Sequence, residues 1–421
     1  MKSILLLNPC CIKPAISPIG LEYIAEDLRN NGYKADILDL GVEKTPNKAL
    51  RRKIKNKQYF AIGVDVRNID DTLIHVQDFF LPEIRKLICQ IRKMTKTPII
   101  IGGAGFSISP KAILEYLGAD YGIEGYGIPG LRVLLKKIEN NNIKPGSVFR
   151  FDSDAYLDVT FKRNTLPLKK YYRQGAAIGV NTKSGCLLRC IYCTYPKVSG
   201  YKLYLRDPRK VIAEIENLSK QGITRIFFTD SVFNIPPKHA KEICEQIIRK
   251  HLHFRWYAFL NPSRKYFTED LLRIMIKSGL VAAQLGIDSG SERILKVYKK
   301  NFTVNDIEHA TKLCKKLGLK VGYSVLFGAP GETKHTIDET FSLIDRLKPD
   351  YVDIETSIRI YKPTGIARIA ERKGIIKKSD DLIRPIFYPF KLRRYVTNEA
   401  KKRTICHLCF TNKPVYKQLE K

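Results

Sequence analysis

The chain has 421 residues, 44% of them hydrophobic, with 74 Lys+Arg against 42 Asp+Glu and a formal net charge of +32. That length suits about two domains with ordinary cores, and the absence of any run of about 18 apolar residues excludes a helical membrane span. Ten cysteines without paired spacing fit a reducing compartment, so a cytoplasmic location is expected, and Met1 to Leu7 reads as a first strand, not a signal peptide.

In chain order, Lys2 to Leu7 and Ala35 to Leu40 read as buried strands. Between them, the stretch from Gly20 to Asn31 places Leu21, Ile24, Ala25 and Leu28 at helical spacing, with Gly32 as its stop. Phe60 to Val66 is a third strand, Thr72 to Met94 a long helix, Pro98 to Ile101 a fourth strand, Lys111 to Leu117 a helix and Tyr121 to Ile123 a short strand. Strands alternating with helices predict a doubly wound, Rossmann-like parallel sheet, whose ligands sit outside the carboxyl ends of the strands. The run Gly102 to Gly105 permits close backbone approach at one such end, although loops after strands often carry glycine.

Asn8-Pro9 with Pro18-Ile19-Gly20-Leu21, then Gly102-Gly103, then Glu124-Gly125-Tyr126-Gly127, resembles the cobalamin-binding domain that precedes many radical S-adenosylmethionine (SAM) cores. The resemblance implies a corrin across the strand ends near Pro18, Gly20, Gly102, Gly103, Glu124 and Gly125. Some of these domains hold cobalt through the histidine of Asp-x-His-x-x-Gly. The one histidine here, His75 in Asp71-Thr72-Leu73-Ile74-His75, does not fit that spacing. A lower cobalt face without a histidine ligand is therefore implied. Arg67, just past the third strand, is either near that face or a solvated loop arginine.

Residues 142–171 lack periodicity, carry Pro145-Gly146 and Pro167, and read as a linker with a short hairpin. A second domain follows from Tyr172, with a strand from Ala176 to Asn181. Next comes Gly185-Cys186-Leu187-Leu188-Arg189-Cys190-Ile191-Tyr192-Cys193. Spacings of four and three let one loop aim three thiolates at a single point. Structural zinc takes four protein ligands, and most cubanes take four cysteines. Three cysteines leave one iron open to a small molecule. Two other readings stay open: zinc with Cys406 or Cys409 as a fourth donor, and three buried core cysteines, although Gly185 and Arg189 suit an exposed loop better.

The block Cys-x-x-x-Cys-x-x-Cys resembles the signature of the radical SAM enzymes. The resemblance implies a [4Fe-4S] cluster on Cys186, Cys190 and Cys193, whose open iron chelates the amino and carboxylate groups of SAM. An electron from the cluster then splits the sulfonium to a 5′-deoxyadenosyl radical. Further strands are expected at Arg225 to Asp230, Phe254 to Leu260, Ala282 to Ser291, Val321 to Phe327 and Tyr351 to Ile360, and an amphipathic helix at Asp207 to Lys220. By the same resemblance, Tyr192 lies near the adenine of SAM. Asp230 and Ser231 stand where the family holds the amino group, with a helix cap as the bland alternative for Asp230. Asp288 and Ser289 occupy a Glu-Ser-Gly-Ser element facing the ribose or methionine. Gly328 and Pro330 belong to a Gly-x-Pro-Gly-Glu-Thr turn beside the adenine. Six strands each followed by a helix match a partial TIM-like (β/α)6 barrel, whose sites lie at the carboxyl ends.

The expected fold is thus α/β: residues 1–141 a cobalamin-binding Rossmann-like domain, 142–171 a linker, 172–375 a radical SAM partial barrel and 376–421 a short basic C-terminal extension. The extension carries Arg384, Lys391, Arg393, Arg394 and Lys401-Lys402-Arg403 among Phe387, Tyr388 and Phe390. It reads as a cover for the barrel mouth or a grip for a polyanion. The resemblance implies [4Fe-4S], SAM and cobalamin as cofactors, an external electron donor, and methylation of an unactivated carbon in a small-molecule, lipid or peptide substrate. Three alternatives remain: cyclisation or rearrangement on the same architecture, an RNA-modifying enzyme, and a non-catalytic cobalamin carrier. Nucleic acid is not favoured, because the cations are scattered and no RNA-binding appendage is recognisable.

Overall fold

The structure, a computed structural model, describes residues 1–9, 15–151 and 160–408. Strands β1 (Ser3–Asn8), β2 (Lys34–Asp39), β3 (Ala61–Asp65), β4 (Ile99–Gly102), β5 (Tyr121–Gly125) and β6 (Ser147–Phe151) form one sheet in the order β2-β1-β3-β4-β5-β6, with every neighbour parallel. Helices α1 (Ile19–Asn30), α2 (Pro46–Asn56), α3 (Leu81–Arg92), α4 (Ala104–Ile108), α5 (Pro110–Leu117) and α6 (Gly127–Glu139) connect them. Side-chain alternation explains the layers. Ile4 and Leu6 pack with Leu21, Ala25 and Leu28 of α1 and Leu131 and Leu134 of α6. Leu5 and Leu7 join the opposite core, with Ile84, Ile88 and Ile91 of α3. Covered on both faces, the strands read as unbroken apolar runs. The strand order reverses between β1 and β3, which is where doubly wound sheets open a crevice.

Two expectations are corrected here. The helix expected from Thr72 begins only at Leu81. Asp70 Oδ1 accepts the Thr72 N–H at 3.0 Å, Asp71 Oδ1 accepts the Leu73 N–H at 2.9 Å, and Thr72 takes a φ of 61°. These side-chain turns satisfy the backbone locally and displace a first helical turn. The hairpin expected in the linker is replaced by β6, which runs parallel to β5 and extends the first sheet.

The second domain begins with α7 (Leu168–Arg173). Strands β7 (Ile178–Val180), β10 (Arg225–Phe228) and β11 (Arg255–Tyr257) pair in parallel, as do β12 (Phe259–Leu260), β13 (Ala282–Asp288), β14 (Lys320–Leu326) and β15 (Tyr351–Glu355). Only Ala258 separates β11 from β12, so the strands form one open arc. Short antiparallel strands β8 (Lys183–Ser184) and β9 (Tyr204–Leu205) bracket the cysteine loop, which contains α8 (Tyr195–Ser199). The outer helices are α9 (Pro208–Lys220), α10 (Pro237–Arg249), α11 (Glu269–Lys277), α12 (Glu292–Tyr298), α13 (Val304–Lys316), α14 (Lys334–Leu347) and α15 (Gly365–Arg372). Asp207 caps α9, accepting the Arg209 N–H. The C-terminal extension supplies α16 (Arg393–Lys401) and β16 (Cys406–Leu408), the latter a further parallel strand against β15. Phe390 packs beside Gly328 at the end of β14, and Arg393 Nε donates to Thr356 O at 3.3 Å beyond β15.

Buried bridges lock the domains together. Arg163 donates to Glu22 of α1 at 2.7 Å, to Glu214 of α9 at 2.8 Å and to Gly179 O at 2.8 Å. Tyr23 OH donates to the same Glu214 oxygen at 2.8 Å, and its ring stacks on Phe161 at 3.7 Å. Arg206 pairs with Glu214 at 2.8 Å. Glu22, Arg163, Arg206 and Glu214 are each at most 1% exposed. Two acids against two guanidiniums leave no net charge in the interior, which is what makes their burial tolerable.

Candidate active site

The loops at the carboxyl ends of both sets of strands meet one another. Beyond β3, Asp70 accepts from Arg359 Nε at 2.8 Å and from Tyr361 OH at 3.0 Å, both residues past β15. His75 Nε2 lies 3.5 Å from Thr356 Oγ1. Beyond β5, Tyr126 OH donates to Ser184 Oγ and Ser199 O, and Glu124 pairs with Lys197 of α8.

The cysteine loop stands at the centre of this contact. Gly185 takes a φ of +85°, and a Cβ there would overlap Lys202 O, so only glycine fits the turn into the loop. The Cys186 N–H donates to Gly200 O at 3.1 Å, the Ile191 N–H to Tyr298 O at 3.2 Å, and Ile191 O accepts the Ile366 N–H at 2.8 Å. These bonds hold the loop between α12 and α15. The three thiols are close enough to feel one another's charge. Burial pushes the Cys190 thiol up and the Cys193 thiol up to about 12, although the Tyr195 N–H donates to Cys193 Sγ at 3.4 Å. Thiols in such a place ionise when a metal centre takes their charge. Among the described residues no three of His, Cys, Asp and Glu gather tightly enough to hold a single metal ion. Cys406 is in register with Val352 at the sheet edge, where Arg403 and Asp345 influence it, and Cys409 lies outside the described residues. Cys406 therefore gives the loop no fourth donor. The loop suits a cluster, whose thiolates sit on separate irons.

The remaining SAM-directed residues divide by what they touch. Tyr192 OH donates to Asp288, and Lys300 Nζ lies 2.8 Å from the same Asp288 oxygen, with Lys300 and Asp288 side chains 7% and 9% exposed. Asp288 takes a φ of 59° to make this turn. Lys300 is also among the charges acting on Cys190 and Cys193. It is a site residue that sequence spacing gives no means of finding, because only the fold brings it beside Tyr192. Asp230 accepts from Thr182 N at 2.8 Å, Thr182 Oγ1 at 2.5 Å and Lys183 Nζ at 3.0 Å. Its oxygens brace the entry to the cysteine loop, and Ser231 Oγ donates to Gly185 O at 3.2 Å. Ser289 is fully buried against Thr340. Gly328, at φ +108°, and Ala329 donate their N–H groups to Glu332, whose carboxyl burial pushes up to about 7. Pro330 follows in the same turn.

Glu355, at the end of β15, is a second residue the sequence reading missed. Burial pushes its carboxyl up to about 7, while the Ser357 hydroxyl (2.6 Å) and the Thr356 N–H (2.8 Å) donate to Oε1.

In the first domain Gly20, Gly102, Gly103 and Gly125 converge on one cleft of about 200 Å³ between α1, α6 and the strand ends. Leu6, Ile24, Val64, Ile100, Ile123 and Leu131 line it, and Gly63 and Gly127 bring its glycines to six. A Cβ at Gly103 would overlap Asp65 Oδ1 and sit 2.8 Å from Val66 O, so the open wall depends on glycine. Asp65 also lines the cleft, its carboxyl pushed up to about 6 by burial. Pro18 precedes α1, Glu124 is engaged by Lys197 and Arg150, and Arg67 is exposed, its carbonyl accepting the Gly105 N–H at 2.8 Å. The structure thus brings four of the seven predicted residues into one cavity and leaves Pro18, Arg67 and Glu124 outside its lining. Six glycines and an apolar wall at a sheet's crevice let a ligand group approach the backbone closely.

Comparison with known proteins agrees with both halves. The B12 binding domain family matches residues 10–135, and the radical SAM superfamily matches residues 180–344. Tryptophan 2-C-methyltransferase of Streptomyces laurentii is 25% identical over 453 residues, covering 87% of this chain and 74% of that protein. The radical SAM methyltransferase TsrM of Kitasatospora setae, solved with cobalamin and a [4Fe-4S] cluster bound, superposes with a TM-score of 0.82 at 27% identity, covering 88% of this chain and 78% of that one. The cobalamin-dependent SAM radical enzyme OxsB shares the fold, with a TM-score of 0.72 at 16% identity over 96% of this chain and 66% of that one. No helix among the described residues is long and apolar enough to cross a membrane.

Proposed function

This chain is a cobalamin-dependent radical SAM enzyme of the methyltransferase kind, and we propose that it places a methyl group on a carbon of a small molecule in the cytoplasm. One observation supports the reading: the cysteine loop and the glycine-lined cleft both lie at strand ends whose loops touch, so the two candidate cofactor sites flank one domain contact. Cys186, Cys190 and Cys193 would hold the cluster. Gly20, Gly102, Gly103 and Gly125 would admit cobalamin, with Pro18, Arg67 and Glu124 at its margin. Tyr192, Asp288, Ser289, Gly328 and Pro330 would line the SAM pocket, and Asp230 and Ser231 would steady the loop beside it. When bound, these cofactors supply radical generation from SAM and a transferable methyl group.

The chain's own residues order that contact. The Lys300–Asp288 pair and Tyr192 fix a positive charge beside the thiolates. Glu332 orders the turn at Gly328 by accepting two N–H groups. The Asp70–Arg359 bridge, buried between the two domains, would keep water, which quenches radicals, from one side of that contact. Glu355, with a carboxyl near neutrality at the strand end, is suited to exchange a proton with a substrate nitrogen or oxygen.

The test is anaerobic reconstitution with iron, sulfide and hydroxocobalamin, followed by SAM carrying a labelled methyl group and a panel of small heteroaromatic acceptors that includes tryptophan, the substrate bound in a TsrM structure. Label reaching carbon only when cobalamin is present is the expected result. SAM consumption with no cobalamin dependence would overturn the reading.

A further inference from the structure

Side-chain alternation gives the barrel strands two faces. Phe228 of β10, Leu260 of β12, Leu285 of β13, Tyr323 of β14 and Ile354 of β15 pack outward with the helices. Their neighbours in sequence, Phe227, Phe259, Gln284, Ser324 and Glu355, therefore face the inside of the arc, as does Asp353. That inner face is neither apolar throughout nor closed. Phe259 is 40% exposed, with its ring edge-to-face to Phe227 at 6.0 Å. Further along β13, a Cβ at Gly286 would meet nothing within 4 Å, so open space lies beside these rings.

Gln284 stands in register with Phe259. Its Nε2 donates to Ser324 Oγ at 2.8 Å, which fixes the amide, and its Oε1 lies over Gly322, where any Cβ would overlap it. Gln284 is 7% exposed, and its Oε1 has no hydrogen-bond partner among the described residues. A buried oxygen left unpaired is costly, so it calls for a donor that the chain does not supply. The groups between it and the strand ends are acceptors too. Ser324 is in register with Asp353, and Leu326 with Glu355. Asp353 is close enough for its charge to push the Glu355 carboxyl up, beside the larger effect of burial. The cations on the same face, Arg225, Arg255 and Lys320, open their strands at the opposite end.

Resting on the methyl-transfer reading above, we propose that the inside of the arc is the methyl-acceptor pocket and takes a small aromatic molecule bearing a protonated nitrogen. Phe227 and Phe259 supply ring contact and attract the cation with their faces. The nitrogen donates to Gln284 Oε1 and lies toward Asp353 and Glu355.

The experiment titrates the reconstituted holoenzyme, with SAM and without reductant, by calorimetry with two probes. Tryptamine carries an ammonium; tryptophol carries a hydroxyl in its place on the same ring system. The wild type is expected to bind tryptamine at least about tenfold more tightly. Gln284→Leu is expected to erase most of that preference while the melting temperature of the ligand-free enzyme holds or rises, because an unpaired oxygen is gone. A glutamine with a merely structural role would lower that temperature and leave the preference intact. Phe259→Ala weakens both probes alike. A wild type that binds tryptamine no more tightly than tryptophol, or a preference that survives Gln284→Leu, overturns the proposal. Should Gln284→Leu lower the iron or cobalamin content, Glu355→Gln is read in its place, with tryptamine affinity expected to fall about threefold and tryptophol affinity unchanged; no fall overturns. Binding needs no turnover, so the two readings fail separately. A tryptamine preference with no label ever reaching carbon fails the methyl-transfer reading, and label on carbon without the preference fails the pocket.

Discussion

At the scale of single residues, the cysteine loop was legible because three cysteines at spacings of four and three mark one short loop, and a spacing survives in sequence. Lys300 was not legible. It lies 108 residues from Tyr192 and meets it only through β13 and the turn after α12. Its partner Asp288 is deeply buried, so Lys300→Met leaves a carboxylate without a cation. Urea unfolding is expected to show a loss of about 3–5 kcal/mol, and Lys300→Arg a smaller one. The buried carboxyls make a second prediction. Burial raises Glu332 and Glu355 from 4.5 to about 7 and Asp65 from 3.8 to about 6. Between those limits the folded chain keeps protons that the unfolded chain releases, so these groups lend stability at low pH and lose it as pH rises toward about 7. Melting temperatures across that window should fall less steeply for Glu355→Gln than for the wild-type apoprotein. Parallel profiles would show that the carboxyl is not buried.

At the scale of elements, apolar periodicity found the central strands, because strands covered on both faces leave unbroken runs. It failed where side chains or distant partners decide. The helix expected at Thr72 lost its first turns to Asp70 and Asp71, whose carboxylates take the N–H groups a helix would use. Strand β6 follows Asn140-Asn141-Asn142 and has an exposed edge, so its five residues carry no clear pattern. β16 is three residues long and exists only through β15. The glycine cleft was legible in its residues but not in its shape. Gly103→Ala sets a Cβ against Asp65 and Val66 at a φ of +105°. It is expected to cost at least about 1–3 kcal/mol and to abolish cobalamin retention on gel filtration. Gly118→Ala, also at positive φ but with open space around it, should be strained without losing the cofactor.

At the scale of the whole molecule, neither domain can hold substrate between two cofactors unless its partner stays in place. The interior group of Glu22, Arg163, Arg206 and Glu214 sets that placement. Nothing in the sequence marks it, because its members come from α1, the linker, the segment before α9 and α9 itself. Arg163→Met strands two carboxylates and is expected to cost about 3–5 kcal/mol, splitting one cooperative thermal transition into two. A single transition at the wild-type temperature would show that the domains do not depend on the bridge. Everything proposed for the chemistry still returns to the cysteine loop. The most direct test is electron paramagnetic resonance of the anaerobically reduced, reconstituted chain with and without SAM. The account predicts one [4Fe-4S] signal whose shape changes when SAM is added, and its loss in Cys193→Ala. A full cluster signal indifferent to SAM, or one that survives in Cys193→Ala, would contradict it.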